Sequence, residues 1–141
     1  MLFRSAFAAL DTLEAIAGKR KIAIMGDMLE LGRYSVESHR AVGARAAQVA
    51  DLLITVGFRA RGMGEAALDS GMRDESVRAY EMDESQRVGA EVQNELRPGD
   101  VVLVKGSQSM RMERTVLEIM AQPENAEELL VRQSDEWLAK S

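Results

Sequence analysis

Four short apolar runs, separated by stretches with helical periodicity, constrain the fold of this chain most. They are Ile22-Ala23-Ile24-Met25, Leu52-Leu53-Ile54-Thr55-Val56, Val77-Arg78-Ala79-Tyr80 and Val101-Val102-Leu103-Val104. Their length and β-branched content suit strands, the third being marked by its arginine. Helical faces lie between them: Val42, Ala46, Val49 and Ala50; Val88, Val92 and Leu96; and, after the last run, Met112, Val116, Ile119 and Met120. A leading helix is expected over Arg4 to Ala17, and a glycine-punctuated one through Glu65 to Leu68. Strands that alternate with helices imply an α/β fold, a three-layer α/β/α Rossmann-like domain with a mainly parallel sheet covered on both faces.

The boundaries carry their own chemistry. Ser35 is placed to cap the helix that follows it, with Glu37 in the favourable first turn. Asp83 with Gln86 resembles a capping box. Arg97-Pro98-Gly99-Asp100 reads as a turn, because proline stops the preceding helix and glycine tolerates positive φ. After Pro123 the tail is expected to be helical over part of Glu124 to Lys140, with Leu129-Leu130-Val131 as an alternative edge strand. There is no internal repeat or low-complexity linker.

In open parallel α/β sheets ligands bind beyond the carboxyl ends of the strands. The expected strand ends bring Asp27, Glu30, Arg59, Glu81, Lys105 and Ser107 to one rim, in loops that include Gly26, Gly57 and Gly106. Each residue also has a plainer role: Gly57 as a turn former, Asp27 as a cap, Glu30 as a solvated loop charge. His39, near a helix start, reads first as a partly buried structural hydrogen bonder and secondly as support for the rim. Arg111 and Arg114 are expected in the first turns of a helix, where a cation is unfavourable unless an anion or acidic neighbour offsets it.

Composition narrows the function classes. A net charge of −5 and 4% aromatics, without a basic patch, argue against a nucleic-acid partner. With no cysteine and one histidine, disulfides, thiolate sites and a histidine zinc site fall away, and no metal site is expected. No apolar run approaches the roughly 20 residues that cross a bilayer. The start, "MLFRSAFAAL", superficially suggests a signal peptide, but Asp11 and Glu14 follow at once, so a cytoplasmic chain without membrane insertion is expected. A P-loop needs G-x-x-x-x-G-K-[ST]; Gly18-Lys19 is followed by Arg20, and Leu13 stands where the first glycine belongs. Gly62-Met63-Gly64 lacks the third glycine of a dinucleotide fingerprint.

Four segments, in this order and separation, carry a resemblance: "KIAIMGDMLELG", "SHRAVG", "ADLLITVG" and "GDVVLVKGSQSMRME". Together they resemble the C-terminal domain of the Mur ligases, nearest to the branch that joins D-alanyl-D-alanine to a UDP-N-acetylmuramoyl-tripeptide. The opening "SAFAALDTL" is similar to the helix that follows that family's interdomain linker, and the likeness runs from about Ser5 to Arg132.

The resemblance implies one C-terminal-type domain over 1–141, with residues 1–20 as the leading helix and 123–141 as a tail. It implies partners in a central ATPase domain and a UDP-sugar-binding domain, and ATP with Mg2+ as cofactors bound mainly by that ATPase. An acyl phosphate formed from ATP would be attacked by the amine of D-alanyl-D-alanine, and this domain would close over the ATPase. On that reading Lys105 and Asp27 are the catalytic candidates, with Gly106, Ser107, Ser109, Arg111 and Arg59 binding substrate and His39 and Glu30 in support. The chain alone is expected to be inactive. Two other classes remain open: a receiver-type signalling domain, which needs an acceptor aspartate where this chain has Gly57 or Glu81, and a standalone ligand-binding module.

Overall fold

The computed structural model describes residues 2–18, 20–28, 35–106, 128–132 and 136–140. Helix α1 (Leu2–Ala15) leads into β1 (Arg20–Gly26), α2 (Ser35–Val49), β2 (Leu52–Val56), α3 (Arg61–Asp69), β3 (Val77–Tyr80), α4 (Ser85–Glu95) and β4 (Asp100–Lys105). Two further strands, β5 (Glu128–Arg132) and β6 (Glu136–Lys140), complete a six-stranded sheet in the order β3-β2-β1-β4-β6-β5. The first four strands are mutually parallel, and β6 joins β4 antiparallel.

All four apolar runs form strands. The near-unbroken burial of β1, β2 and β4 follows from the two cores they divide, since successive side chains point to opposite faces, whereas β3, at the sheet edge, is only partly buried. On one face Ala23, Met25, Leu53, Val101 and Leu103 pack with α1, α2 and α3 through Leu10, Leu13, Val42, Ala46 and Met63. On the other, Ile22, Ile24, Ile54, Val102 and Val104 meet Val88 and Val92 of α4. Helices on both faces make this the expected three-layer arrangement. The α2–α3 contact is close because Gly43 has no side chain: a Cβ there would lie 2.0 Å from the Met63 carbonyl oxygen.

Two expectations need correction. The tail forms strands at 128–132 and 136–140, so its expected helix gives way to the edge-strand alternative, with β5 outermost. The physical reason lies in β4, whose second row of backbone groups would otherwise lack partners; β6 supplies them from Val101↔Lys140 to Lys105↔Glu136. The capping box is formed by Glu81 and Glu84, two residues earlier than Asp83 and Gln86. A short 3₁₀ turn at Met82–Glu84 precedes α4, and the box closes that turn instead. The helix expected at Met112 to Met120 lies outside the described residues.

Candidate functional site

The order β3-β2-β1-β4 places a topological switch between β1 and β4: from β1 the chain moves to β2 and β3 on one side, then returns to β4 on the other. Crevices at such points, beyond the carboxyl ends of the strands, are where open α/β sheets bind ligands. Met25 pairs in register with Lys105, so the chain leaves β1 through Gly26 and Asp27 beside the end of β4. Gly26 pairs with Val56, and Val56 with Tyr80, which brings Gly57 and Glu81 to the same rim.

Asp27 is 4% exposed, and its Oδ1 accepts a 2.7 Å hydrogen bond from the Ala60 amide. The other carboxylate oxygen lies 3.8 Å from Nη1 of Arg59, whose side chain is 53% exposed. This carboxylate ties the end of β1 to the turn after β2. Gly57 makes that possible with φ of 114°, a conformation that L side chains rarely adopt; a Cβ there would meet Asp27 Oδ1 at 2.5 Å. Lys105 is 6% exposed and Gly106 is buried. Lys105 is therefore packed at the strand end, unlike a surface lysine.

A cleft of about 350 Å³ opens beside this rim, lined by residues that include Ser35 and Val36 of α2 and Phe58, Arg59 and Arg61 after β2. Phe58 is 75% exposed, and the Arg61 guanidinium lies 5.7 Å from its ring centroid. Arg61 also pairs with Glu81, which ties the ends of β2 and β3 together. His39 is fully buried at the floor of this region, more enclosed than its sequence position suggested. Its Nε2 lies 2.9 Å from the Met28 amide nitrogen, and its Nδ1 2.6 Å from the Ser35 carbonyl oxygen.

Of the residues singled out in the sequence, Asp27, Arg59, Lys105 and Gly106 therefore meet on one rim, with His39 behind it. Glu30, Ser107, Ser109 and Arg111 lie outside the described residues. Sequence reasoning missed the Ala60 amide as the partner of Asp27 and Phe58 with Arg61 as walls of the cleft. An aromatic and two arginines directly after the glycine of a strand end were the available signal for the walls. The amide gave none. Among the described residues no three histidine or acidic side chains come together as a metal site, and no helix is long and apolar enough to cross a membrane.

Four parallel strands in the order 3-2-1-4, with helices on both faces and a switch-point crevice, define a Rossmann-like α/β domain. The match is more specific than that: residues 3–108 fit the family described as "Mur ligase, glutamate ligase domain", and the chain belongs to it. It is 30% identical over 118 residues to a UDP-N-acetylmuramoyl-tripeptide--D-alanyl-D-alanine ligase of Synechocystis, covering 84% of this chain and 25% of that protein. The corresponding ligase of Bacillus subtilis is 29% identical over 118 residues, at 82% and 25% coverage. The fold is similar to a crystal structure of MurF from Acinetobacter baumannii, with a TM-score of 0.69, 27% identity, and 85% of this chain against 26% of that one. A MurF ligase of Thermotoga maritima, solved with ADP, gives a TM-score of 0.64 at 24% identity, over 86% and 26% of the two chains. This chain thus spans about a quarter of the length of the curated relatives it matches first.

Proposed function

We propose that residues 1–141 are a single C-terminal-type domain, with a leading helix and a tail, of a cytoplasmic ATP-dependent ligase that joins D-alanyl-D-alanine to a UDP-N-acetylmuramoyl-tripeptide in peptidoglycan synthesis. The observation that carries this reading is the family match over 3–108 together with relatives that bear that ligase's name. The residues present fit a closing role better than an ATPase role. The chain has no P-loop pattern, so a central ATPase domain must supply the triphosphate grip, and a UDP-sugar-binding domain the nucleotide peptide. Among the described residues no three acidic or histidine side chains come together, which agrees with ATP and Mg2+ being held mainly by that ATPase domain.

Acyl phosphates hydrolyse readily, so a domain that shuts water out as it closes protects the intermediate. Lys105 supplies a fixed positive charge at the switch point for a phosphoryl group or the dipeptide carboxylate. Gly106 lets the backbone approach, and Ser107, Ser109 and Arg111 complete the anion contact at the start of the following segment. Asp27, with one oxygen held by the Ala60 amide and the other 3.8 Å from Arg59, holds the attacking amine or a nucleotide hydroxyl in this reading, and Arg59 binds substrate. Glu30, outside the described residues, keeps a supporting role in this reading.

Lys105→Ala in a full-length ligase tests this. Losing one preorganised charge contact costs about 2.7–4 kcal/mol in comparable sites, a ~100- to 1000-fold loss of turnover. The expected result is that loss, read as phosphate release dependent on D-alanyl-D-alanine, at an unchanged melting temperature. Near-normal turnover would return Lys105 to a structural role. The 141-residue chain by itself should hydrolyse no ATP above a buffer control.

A further inference from the structure

His39 has two bonding partners of opposite kind. The Met28 amide is a donor only, so Nε2 must accept and carry no proton. The Ser35 carbonyl is an acceptor only, so Nδ1 must donate, and the 2.6 Å separation suits that bond. The Ser35 hydroxyl, 3.3 Å from Nδ1, is a weaker second neighbour. The ring thus spans from the first residue of α2 to the residue after Asp27, with 1% of its surface exposed.

We propose that His39, as the neutral Nδ1–H tautomer, is a positioning residue that pins the outgoing end of β1 to α2 and so fixes where Asp27 meets the turn after β2. The chain of contacts is continuous. Ser35 carbonyl, imidazole and Met28 amide set the backbone next to Asp27; the Asp27 carboxylate then receives the Ala60 amide, across a gap that only Gly57 leaves open. His39 needs no contact with any ligand for this. Its importance for catalysis rests on the ligase reading of the rim, but the pin itself does not.

The test separates the two. In the 141-residue chain, ¹⁵N spectra of the wild-type imidazole should show a protonated Nδ1 and an unprotonated, hydrogen-bonded Nε2. The opposite tautomer overturns the proposal without any variant having to fold. Hydrogen exchange then reads the bond. His39→Leu keeps apolar bulk without an acceptor and should speed exchange of the Met28 amide by about tenfold or more, the size expected for one lost buried hydrogen bond. His39→Gln can place its carbonyl near the Nε2 position and should restore most of that protection, whereas His39→Asn, which reaches only the Nδ1 side, should not. Equal protection of Met28 in the wild type and His39→Leu would overturn the pin, as would equal rescue by Gln and Asn. The Ala60 amide should lose protection in step with Met28; an Ala60 unaffected by a loosened Met28 would overturn the link to Asp27. None of these readouts depends on ATP, dipeptide or turnover, so a failed ligase assay leaves them intact.

Discussion

At the amino ends of the strands, Arg20 and Asp100 close on each other through bonds of 2.7 and 3.2 Å, while at the carboxyl ends Asp27 and Arg59 stand 3.8 Å apart. The contrast extends along both edges. Arg20 also donates to the Glu95 carbonyl, Asp100 accepts the Arg97 amide, and Arg78 grips both oxygens of Glu95 at 2.6 and 2.7 Å. That edge spends its charges on its own structure. On the opposite edge Asp27 is used to shape a turn, while Phe58 and Arg59 face outward beside a cleft. One sheet therefore has an amino end closed by buried and bidentate ion pairs and a carboxyl end where, beside the exposed Arg61–Glu81 pair, Phe58 and Arg59 border a cleft, as expected where loops at the carboxyl ends carry function.

Of the changes that compare the two ends, the largest stability effect should come from filling the gap that Gly57 leaves beside Asp27. Gly57→Ala combines an unfavourable φ with a contact against a buried carboxylate, and should cost about 3–4 kcal/mol in denaturant unfolding. An unchanged midpoint would show that Asp27 moves freely and that the rim is not preorganised. Asp100→Ala follows, at about 2–3 kcal/mol, below the usual cost of breaking a buried pair because Arg20 keeps some access to water. Chemical shifts at Asp27 and Ala60 should be unaltered in that variant; a change there would mean that the two ends are coupled.

A smaller effect is a matter of pH. The hydrogen bond from Arg78 holds the Glu95 carboxyl below its ordinary value of 4.5. A depressed folded value means stability that is complete above the ordinary value and is lost as the pH falls through the lowered one. Glu95→Gln should thus lower the urea midpoint by a constant amount above about pH 5, with the gap closing on further acidification. A gap that widens in acid would reverse the assignment. The least effect is expected for Arg59→Ala, within about 0.5 kcal/mol, since a half-exposed arginine at 3.8 Å adds little to folding. A loss as large as that of Asp100→Ala would erase the distinction between the two ends.

What the sequence disclosed about these ends was uneven for physical reasons. The strands were legible because burial on both faces writes itself as unbroken runs such as Val101 to Val104. The rim followed from topology, since Asp27, Gly57 and Lys105 each sit where such a run stops. The Asp27–Ala60 bond spans 33 residues and involves a backbone amide, which has no letter of its own. The cap before α4 was misplaced because Glu81, Asp83 and Glu84 offer competing acceptors within four positions, and only the 3₁₀ turn chooses between them. The tail resisted reading because Leu129-Leu130-Val131 satisfies helix and strand equally, and the deciding partner, β4, lies far back in the chain.

That partnership has a consequence for handling the protein. With β6 against it, β4 is an interior strand; cut the chain before residue 128, and Asp100–Lys105 becomes a bare margin, apolar from Val101 to Val104 and ready to template a neighbouring molecule. Truncation at the boundary where the family match stops would thus trade a shorter domain for a sticky one. Insoluble aggregates, rather than an unfolded monomer, are the form in which the missing hairpin would be noticed.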